Sequence, residues 1–252
     1  MPFSLQGHVA IVTGNSTGLG KAIGLALGRA GAKVAVNFAN NAARGQQALA
    51  EYQAAGIETA LVQCDVTSEE GVDKLFTEVE SKLGPVDIIV PNATCEQPLK
   101  TIEEYDWAFY QRMLDFFIKS PFLLAKRGLP SMKQKNWGRF ISITSEVYQR
   151  SVSPFSAYVA AKGGQIGWSK SMARELAPFG ITVNMVAPGW IPVERHEHDP
   201  QAMKDEYFAL IPARRWGVPR DVGDAVVYLA SQEASFVTGQ TISVNGGMTP
   251  MG

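Results

Sequence analysis

The sequence predicts a doubly wound α/β domain in which a mostly parallel sheet of seven strands carries helices on both faces. One observation behind this prediction is the alternation of short apolar runs with helical patterns between His8 and Gly84, which is typical of βαβ units. Another is a glycine-rich segment that joins the first apolar run to the first helical pattern. A third is that no Pro/Ser-rich linker, repeat or low-complexity tract divides the 252 residues. We therefore expect one domain over residues 1–252.

Seven apolar runs are predicted as strands because each is short, apolar and bounded by turn residues. They are VAIVT (9–13), KVAVNF (33–38), ETALVQC (58–64), VDIIVPNAT (86–94), GRFISITS (138–145), ITVNMVAP (181–188) and TGQTISVNGG (238–247). Helical patterns lie between these runs. They span Gly18–Gly31, Asn41–Ala55, Ser68–Leu83, Thr101–Lys133, Ser156–Phe179 and Pro219–Ala230, and the fourth is expected to break around Pro121.

Composition narrows the class of partner. With 46% hydrophobic residues the chain can bury a substantial core, and its net charge of −1 gives no general attraction for nucleic acid or an anionic membrane. Its two cysteines, Cys64 and Cys95, lack disulfide-type or zinc-type spacing, which favours a reducing compartment. No apolar run approaches the roughly 18 residues of a transmembrane helix, and the N-terminus does not resemble a signal peptide. We expect a cytoplasmic protein with a small-molecule partner.

The glycine-rich segment TGNSTGLG, residues 13–20, predicts a dinucleotide site. Gly14 permits the tight exit from the strand, Gly18 lets the backbone approach a pyrophosphate, and Gly20 lets the helix pack closely on the sheet. The N–H groups at the start of the following helix then attract the anion. Glycines that serve only a tight turn are the alternative. We prefer a Rossmann-type site in which Ser16, Thr17 and Leu19 complete the turn.

The end of the second strand bears on the choice of cofactor. Asn37 stands there, where a protein that prefers NAD usually has an acidic residue for the ribose hydroxyls. No carboxylate at this position repels a 2′-phosphate, and the next cations are Arg44 and Lys21. The sequence therefore favours NADP(H) over NAD(H), although Asn37 is equally explained as a polar strand end.

A tyrosine and a lysine at helical spacing point to proton transfer. Tyr158 and Lys162 are four residues apart, so they lie on one face of a helix. An ammonium group near a phenol lowers the phenol's pKa from its usual value near 10. Ser145 closes the preceding strand, at the end where open α/β sheets bind ligands. Together these residues make a candidate site for handling a carbonyl group.

Ser145, Tyr158-x-x-x-Lys162 and the turn of residues 13–20, in this order and spacing, resemble the short-chain dehydrogenase/reductase family over nearly the whole chain. Within the family the chain resembles the 3-oxoacyl-ACP-reductase-like and glucose-dehydrogenase-like members. It implies an NAD(P)(H)-dependent oxidoreductase that interconverts a carbonyl and a secondary alcohol, with Tyr158 as general acid/base, Ser145 bonded to the substrate oxygen and Lys162 on the nicotinamide ribose. It also implies a homo-oligomer, a dimer or tetramer, whose subunits meet through the helix of Ser156–Phe179.

The resemblance carries further cofactor contacts onto this chain. The family's adenine contact matches Asp65 and Val66, although Asp65 also fits the start of a turn. The remaining matches are Asn92 and Ala93 after the fourth strand, and Pro188, Gly189 and Ile191 after the sixth.

Three positions depart from the family pattern. Thr94 replaces a glycine, and Val193 replaces a threonine that bonds the nicotinamide carboxamide. Phe117 stands where the family has an asparagine that helps a water molecule relay protons from the lysine. Because a phenyl ring cannot relay a proton, either a neighbour such as Asp115 or a backbone carbonyl holds the water, or the relay is impaired.

The sequence does not encode the substrate. Specificity is expected in Thr94–Lys100, in Glu146–Phe155 with Tyr148 and Arg150 as candidate contacts, and in residues 190–217. We interpret residues 190–217 as a substrate lid, because loops of this length are usually functional. The lid contains His196-Glu197-His198-Asp199, but consecutive polar residues in a loop are typical of a solvated segment, so we predict no metal site.

Two other functions remain open from the sequence. Halohydrin dehalogenases are relatives that keep the serine and tyrosine but use no nucleotide, and Phe117 favours that branch. The intact glycine turn and Lys162 argue against a dehalogenase. The combined departures at Thr94, Phe117 and Val193 favour instead a dinucleotide-binding sensor that has lost efficient catalysis.

Overall fold

Seven parallel strands form one sheet in the computed structural model, which describes residues 3–250. The strands are β1 (Val9–Val12), β2 (Lys33–Phe38), β3 (Thr59–Gln63), β4 (Ile88–Val90), β5 (Gly138–Ile143), β6 (Ile181–Pro188) and β7 (Thr241–Val244). Their order is β3-β2-β1-β4-β5-β6-β7, and every neighbouring pair is parallel. The predicted fold class is confirmed. Because the order in which strands are added to the sheet reverses between β1 and β4, the carboxyl ends of these two strands flank the crevice in which such sheets bind ligands.

Nine α-helices connect the strands within residues 3–250. They are α1 (Gly18–Arg29), α2 (Ala42–Ala54), α3 (Glu69–Leu83), α4 (Trp107–Leu114), α5 (Ser120–Lys135), α6 (Val147–Arg150), α7 (Ser156–Leu176), α8 (Gln201–Ala209) and α9 (Pro219–Ala230). Side-chain caps fix where three of them begin: Asn41, Ser68 and Asp106 accept hydrogen bonds from the N–H groups of the first turns of α2, α3 and α4. None of the described helices is both long enough and apolar enough to cross a bilayer.

The two faces of the sheet bury two separate hydrophobic layers. Consecutive strand residues point to opposite faces, so Ile11 belongs to one layer and Val12 to the other. The first layer packs α3, α5 and α7 against the sheet, and the second packs α1 and α9. A smaller cluster joins α4 to α7 beside the carboxyl end of β5, and it surrounds the site described below.

The long helical pattern before β5 differs from its prediction. It begins at Trp107 instead of Thr101, and its irregularity is a π-helical turn at Asp115–Lys119 just before Pro121. The N–H of Ser120 donates to the carbonyl of Asp115, five residues back. Proline has no N–H to continue the helical ladder, so the hydrogen bonds rearrange before it instead of breaking the helix. This turn directs Phe117 into the cluster between α4 and α7.

Residues 190–217 contain helical structure where the sequence predicts a loop. They contain a 3₁₀ turn at Glu194–His196 and the helix α8. The Tyr207 hydroxyl on α8 accepts a hydrogen bond from the N–H of Trp190 at 2.7 Å and donates one to Glu146 at 2.5 Å. These bonds anchor the segment next to Ser145, so the segment borders the site.

Candidate active site

The turn between β1 and α1 has the backbone that the sequence predicts. Gly14 and Gly18 have φ angles of +65° and +56°, which favour glycine. A Cβ at Gly14 would lie 3.1 Å from the Cα of Ala93, and one at Gly20 only 2.5 Å from the Gly14 carbonyl oxygen. Only glycines therefore allow the turn to pack this closely. Ser16 and Thr17 are half-buried along it, and Leu19 packs against the core.

The loop after β4 is hydrogen-bonded directly to this turn. The Thr13 hydroxyl accepts hydrogen bonds from the N–H groups of Asn92 and Ala93, both at 2.9 Å. The Asn92 amide donates to the Thr13 carbonyl, also at 2.9 Å. Asn92 and Ala93 thus join the carboxyl ends of β1 and β4. Thr94, which follows, is exposed and bonds within its own loop.

Asn37 lies beneath the turn and is 2% exposed. Its side-chain oxygen accepts from the N–H of Gly14 at 3.0 Å, and its amide nitrogen faces Cys64, with 3.1 Å to the sulfur. Its backbone N–H donates to the side chain of Asn15 at 2.7 Å. Internal partners therefore occupy both polar atoms of the side chain, and Asn37 holds the turn in place. Asn15, which sequence reasoning missed, is the centre of this network, and its place inside the glycine motif was the available signal.

The other residues that the sequence places near the adenosine end of the cofactor lie at the surface or in the core. One carboxylate oxygen of Asp65 accepts hydrogen bonds from the backbone N–H and hydroxyl of Thr67, at 2.9 and 2.7 Å, so Asp65 begins the turn before α3. Val66 is buried in the core. Lys21 forms an ion pair with Glu51 at 3.0 Å, whereas Arg44 is exposed in the first turn of α2.

Ser145 and Tyr158 meet at the carboxyl end of β5. Burial raises the pKa of Tyr158 to about 12, while the charge of Arg195 and the nearby Ser145 hydroxyl lower it. The phenol is therefore protonated at neutral pH. The phenol ring packs against Phe117 and Phe155, with ring centres 5.4 and 4.9 Å apart.

Lys162 lies on the same face of α7 and is 3% exposed. Its Nζ donates to the Ile143 carbonyl at 2.7 Å and to the side-chain oxygen of Gln165 at 3.1 Å. The same nitrogen lies 3.8 Å from the centre of the Phe117 ring and 5.6 Å from that of Tyr158. Burial, followed by the charge of Arg195, puts the lysine's pKa well below its usual range. The expected residues are together, but Lys162 is bound to Ile143 and Gln165.

The residues after β6 reach back to the glycine turn. Pro188 accepts from the N–H of Glu146 at 3.2 Å, and Gly189 donates to Val244 at 3.0 Å; Ile191 is buried in the core. Val193 lies against Gly18, because a Cβ added at Gly18 would be 3.5 Å from a methyl carbon of Val193.

Glu194, which sequence reasoning missed, accepts a hydrogen bond from the N–H of Gly18 at 3.1 Å. A carboxylate of the protein itself thus uses one of the donors that the turn offers to an anion. The N–H of Gly18 is thus placed to donate to an anionic oxygen, which fits the pyrophosphate of a dinucleotide.

The segment after β5 and the predicted lid are held by contacts between side chains. Glu146 is 2% exposed and bonds Tyr207 and Arg150, the latter at 3.1 Å. Tyr148 is exposed and packs beside Gly163 of α7. One ring nitrogen of His196 accepts from the N–H of Val193 at 3.2 Å, so this histidine stabilises the 3₁₀ turn. Residues 3–250 contain no cluster of three metal-ligating side chains.

Comparison with known proteins identifies the family. A family model described as enoyl-(acyl carrier protein) reductase matches residues 13–249. This chain belongs to the short-chain dehydrogenase/reductase family. A 3-oxoacyl-(acyl-carrier-protein) reductase FabG from Staphylococcus epidermidis is 38% identical over 241 residues, which cover 95% of this chain and 98% of the relative. The protein of the same name from Escherichia coli is 36% identical over 247 residues, 97% of this chain and 98% of its own length.

Solved structures in this family agree with the fold and the reaction class. A gluconate 5-dehydrogenase from Burkholderia cenocepacia, in complex with NADP and tartrate, superposes with a TM-score of 0.90 at 27% identity and covers 98% of this chain and 96% of its own. The family and the function predicted from it are confirmed: the chain is a short-chain NAD(P)-dependent oxidoreductase that interconverts a carbonyl and an alcohol by hydride transfer. None of these matches supports a cofactor-free dehalogenase or a sensor.

Proposed function

We propose that Tyr158 is the general acid/base of this oxidoreductase, that Ser145 hydrogen-bonds the substrate oxygen, and that Lys162 supplies a positive charge beneath the phenol. The observation that carries this proposal is that these side chains lie together at the carboxyl end of β5: Nζ of Lys162 is 5.6 Å from the centre of the Tyr158 ring, and the Ser145 hydroxyl is close enough to the phenol to lower its pKa. In carbonyl reduction, Tyr158 gives its proton to the substrate oxygen, and a phenol with a raised pKa is in the protonated form that this step needs. In alcohol oxidation, the phenol must first lose that proton.

The cofactor that fits these residues is NADP(H), favoured over NAD(H). When bound, it supplies or accepts the hydride. The turn of residues 13–20 would hold its pyrophosphate, and Asn92, Ala93, Pro188, Gly189 and Ile191 would line the rest of the crevice. Support comes from the absence of a carboxylate at the end of β2, from the exposed Arg44, and from the NADP-bound relative. A preference for NAD of at least tenfold in Michaelis constant would contradict this choice.

We also propose that residues 190–217 are the substrate lid, that the chain is a single domain and that it forms a homo-oligomer in the cytoplasm. Ala160 and Gly164 on α7, with the large apolar residue Phe122 on α5, are exposed, and small residues let two helices approach closely. Both cysteines are free thiols, which suits a reducing compartment. Light scattering coupled to gel filtration tests the oligomer, and a monomer would contradict it.

The test combines a carbonyl panel with the variant Tyr158→Phe. Turnover of each compound is followed by the absorbance of NADPH or NADH. The first compounds are those that the relatives' names indicate, a 3-oxoacyl thioester and an oxidised gluconate. On a substrate the parent turns over, Tyr158→Phe should lose about 10²- to 10⁴-fold in rate, the usual contribution of general acid–base catalysis. NADPH binding, followed by fluorescence, should survive.

Tyr228→Phe on α9 is the matched control, because it removes a phenolic oxygen away from the site. It should keep the parent rate. Turnover retained by Tyr158→Phe would contradict the assigned role.

A further inference from the structure

Gln165 lies three residues after Lys162 on α7 and is 1% exposed. Its side-chain oxygen accepts a hydrogen bond from Nζ of Lys162 at 3.1 Å. The Ile143 carbonyl accepts another at 2.7 Å, and the face of the Phe117 ring covers the nitrogen at 3.8 Å from the ring centre. These three neighbours enclose the amine from different elements: α7, β5 and the π-helical turn.

A buried ammonium group needs such partners. Isolated charges are expensive to bury, and a lysine without compensation loses its proton. The charged and titratable groups that face Lys162 are Arg195 from the lid, Cys95 from the loop after β4, and Tyr158 on the same helix. Arg195 opposes the lysine's charge, and no carboxylate is among the groups that act on it. Protonation therefore depends on partial negative charges close to Nζ.

The three close neighbours do not contribute equally. The Ile143 oxygen belongs to the backbone of β5, and a benzene face attracts a cation more weakly than a hydrogen-bonding oxygen does. Phe117 has no side-chain acceptor, so it cannot share in hydrogen-bonding the amine. Gln165 is thus the one side chain in the described part of the chain that gives Lys162 a hydrogen-bonding oxygen.

We propose that Gln165 is a positioning residue that keeps the Lys162 amine protonated and fixed beneath Tyr158. This inference rests on the proposed acid/base role of Tyr158. A fixed positive charge favours the phenolate that alcohol oxidation requires. Loss of the Gln165 oxygen should let the amine become neutral at lower pH and leave the phenol harder to ionise.

The experiment compares Gln165→Leu, which removes the oxygen, with Gln165→Glu, which adds a negative charge at nearly the same shape. The first readout is an NMR titration of ¹³C-labelled lysine in the protein without cofactor, with the Lys162 signal assigned by its loss in Lys162→Met. A hydrogen bond to a charged group is worth about one pKa unit. The pKa of Lys162 should fall by about one unit in Gln165→Leu and rise by at least as much in Gln165→Glu.

The second readout is the pH profile of alcohol oxidation. It should move to higher pH in Gln165→Leu, because an amine that becomes neutral at lower pH no longer favours the phenolate. Ser169→Ala is the matched control, since Ser169 is buried on α7 and bonds Ser142 at 3.3 Å instead of the lysine; it should leave both readouts unchanged. If Gln165→Leu does not fold, Gln165→Met removes the oxygen while keeping the length.

An unchanged pKa of Lys162, or shifts of the same sign in both variants, would overturn the proposal. Its failure is distinguishable from failure of the proposed function. If Tyr158→Phe is inactive while the Gln165 variants keep the parent titration, only the role of Gln165 is wrong. If Tyr158→Phe remains active, the acid/base assignment itself is wrong.

Discussion

The two halves of the crevice are built in different ways. The half that fits the pyrophosphate consists of backbone groups that side-chain amides and a hydroxyl hold together by hydrogen bonds. The Asn37 side chain accepts from the N–H of Gly14, and the Thr13 hydroxyl accepts from the N–H of Asn92. The half that carries the chemistry consists of side chains from β5, α7, the π-helical turn and the lid. A backbone cradle tolerates few residue types, whereas side chains can exchange partners. The departures from the family pattern touch both halves: Phe117 covers the amine of Lys162 in the chemical half, whereas Val193 lies against Gly18 in the other.

The variant Asn37→Asp tests whether the first half is a structural network. A carboxylate cannot donate to the Val62 and Cys64 carbonyls that the Asn37 amide faces, both at 3.4 Å. We expect the free energy of unfolding to fall by about 1–3 kcal/mol, the cost of unsatisfied buried polar groups, and NADPH to bind more weakly. Denaturant unfolding and fluorescence titration measure these effects.

A ribose contact at Asn37 makes the opposite prediction. Asn37→Asp would then retain the parent stability and switch the preference to NAD. Asn41→Asp is the control, because the Asn41 side chain only accepts at the start of α2, and aspartate accepts there equally well.

The variant Glu194→Gln tests whether the lid and the cofactor compete for the turn. The Glu194 carboxylate bonds the N–H of Gly18, so it repels a phosphate at that position. A charge pair at about 4 Å in water is worth about 1 kcal/mol, and we expect NADPH to bind about fivefold more tightly. The effect should shrink in high salt.

Calorimetric titration of NADPH measures this change. Glu197→Gln in the same lid segment is the control and should bind as the parent does. Weaker binding by Glu194→Gln would mean that the carboxylate helps the cofactor site instead of competing with it.

The smallest expected effect concerns His196 and acid pH. Burial and the charge of Arg195 lower the pKa of His196 to about 4 from 6.5. Between pH 6.5 and 4 the unfolded chain binds more protons at this residue than the folded chain does, so stability falls as the pH falls through this window. In His196→Gln, the drop in Tm between pH 7 and pH 5 should be smaller than in the parent. His198→Gln, at an exposed histidine, should behave as the parent; an unchanged drop in His196→Gln would contradict this explanation.

The sequence predicted the parts of the structure that depend on local pattern. The strands, the glycine turn, and Tyr158 with Lys162 on one helical face follow from residue periodicity and from motifs with a fixed geometry. The internal bonds of Asn37, the contact of Glu194 with Gly18 and the link from Tyr207 to Glu146 join residues far apart in the chain. No spacing rule encodes such contacts. The same holds for the partners of Lys162, because the π-helical turn that brings Phe117 to the amine depends on packing around Pro121.

In the proposed reaction, hydride passes between a nicotinamide and a substrate carbon while Tyr158 transfers the proton. Its most direct test uses NADPH carrying two deuterium atoms at C4 of the nicotinamide, with a carbonyl substrate from the panel and mass spectrometry of the product. We expect an alcohol one mass unit heavier from the parent, and almost none from Tyr158→Phe that still binds NADPH. NADPH consumption without deuterium in the product, or equal deuterium transfer by Tyr158→Phe, would contradict it.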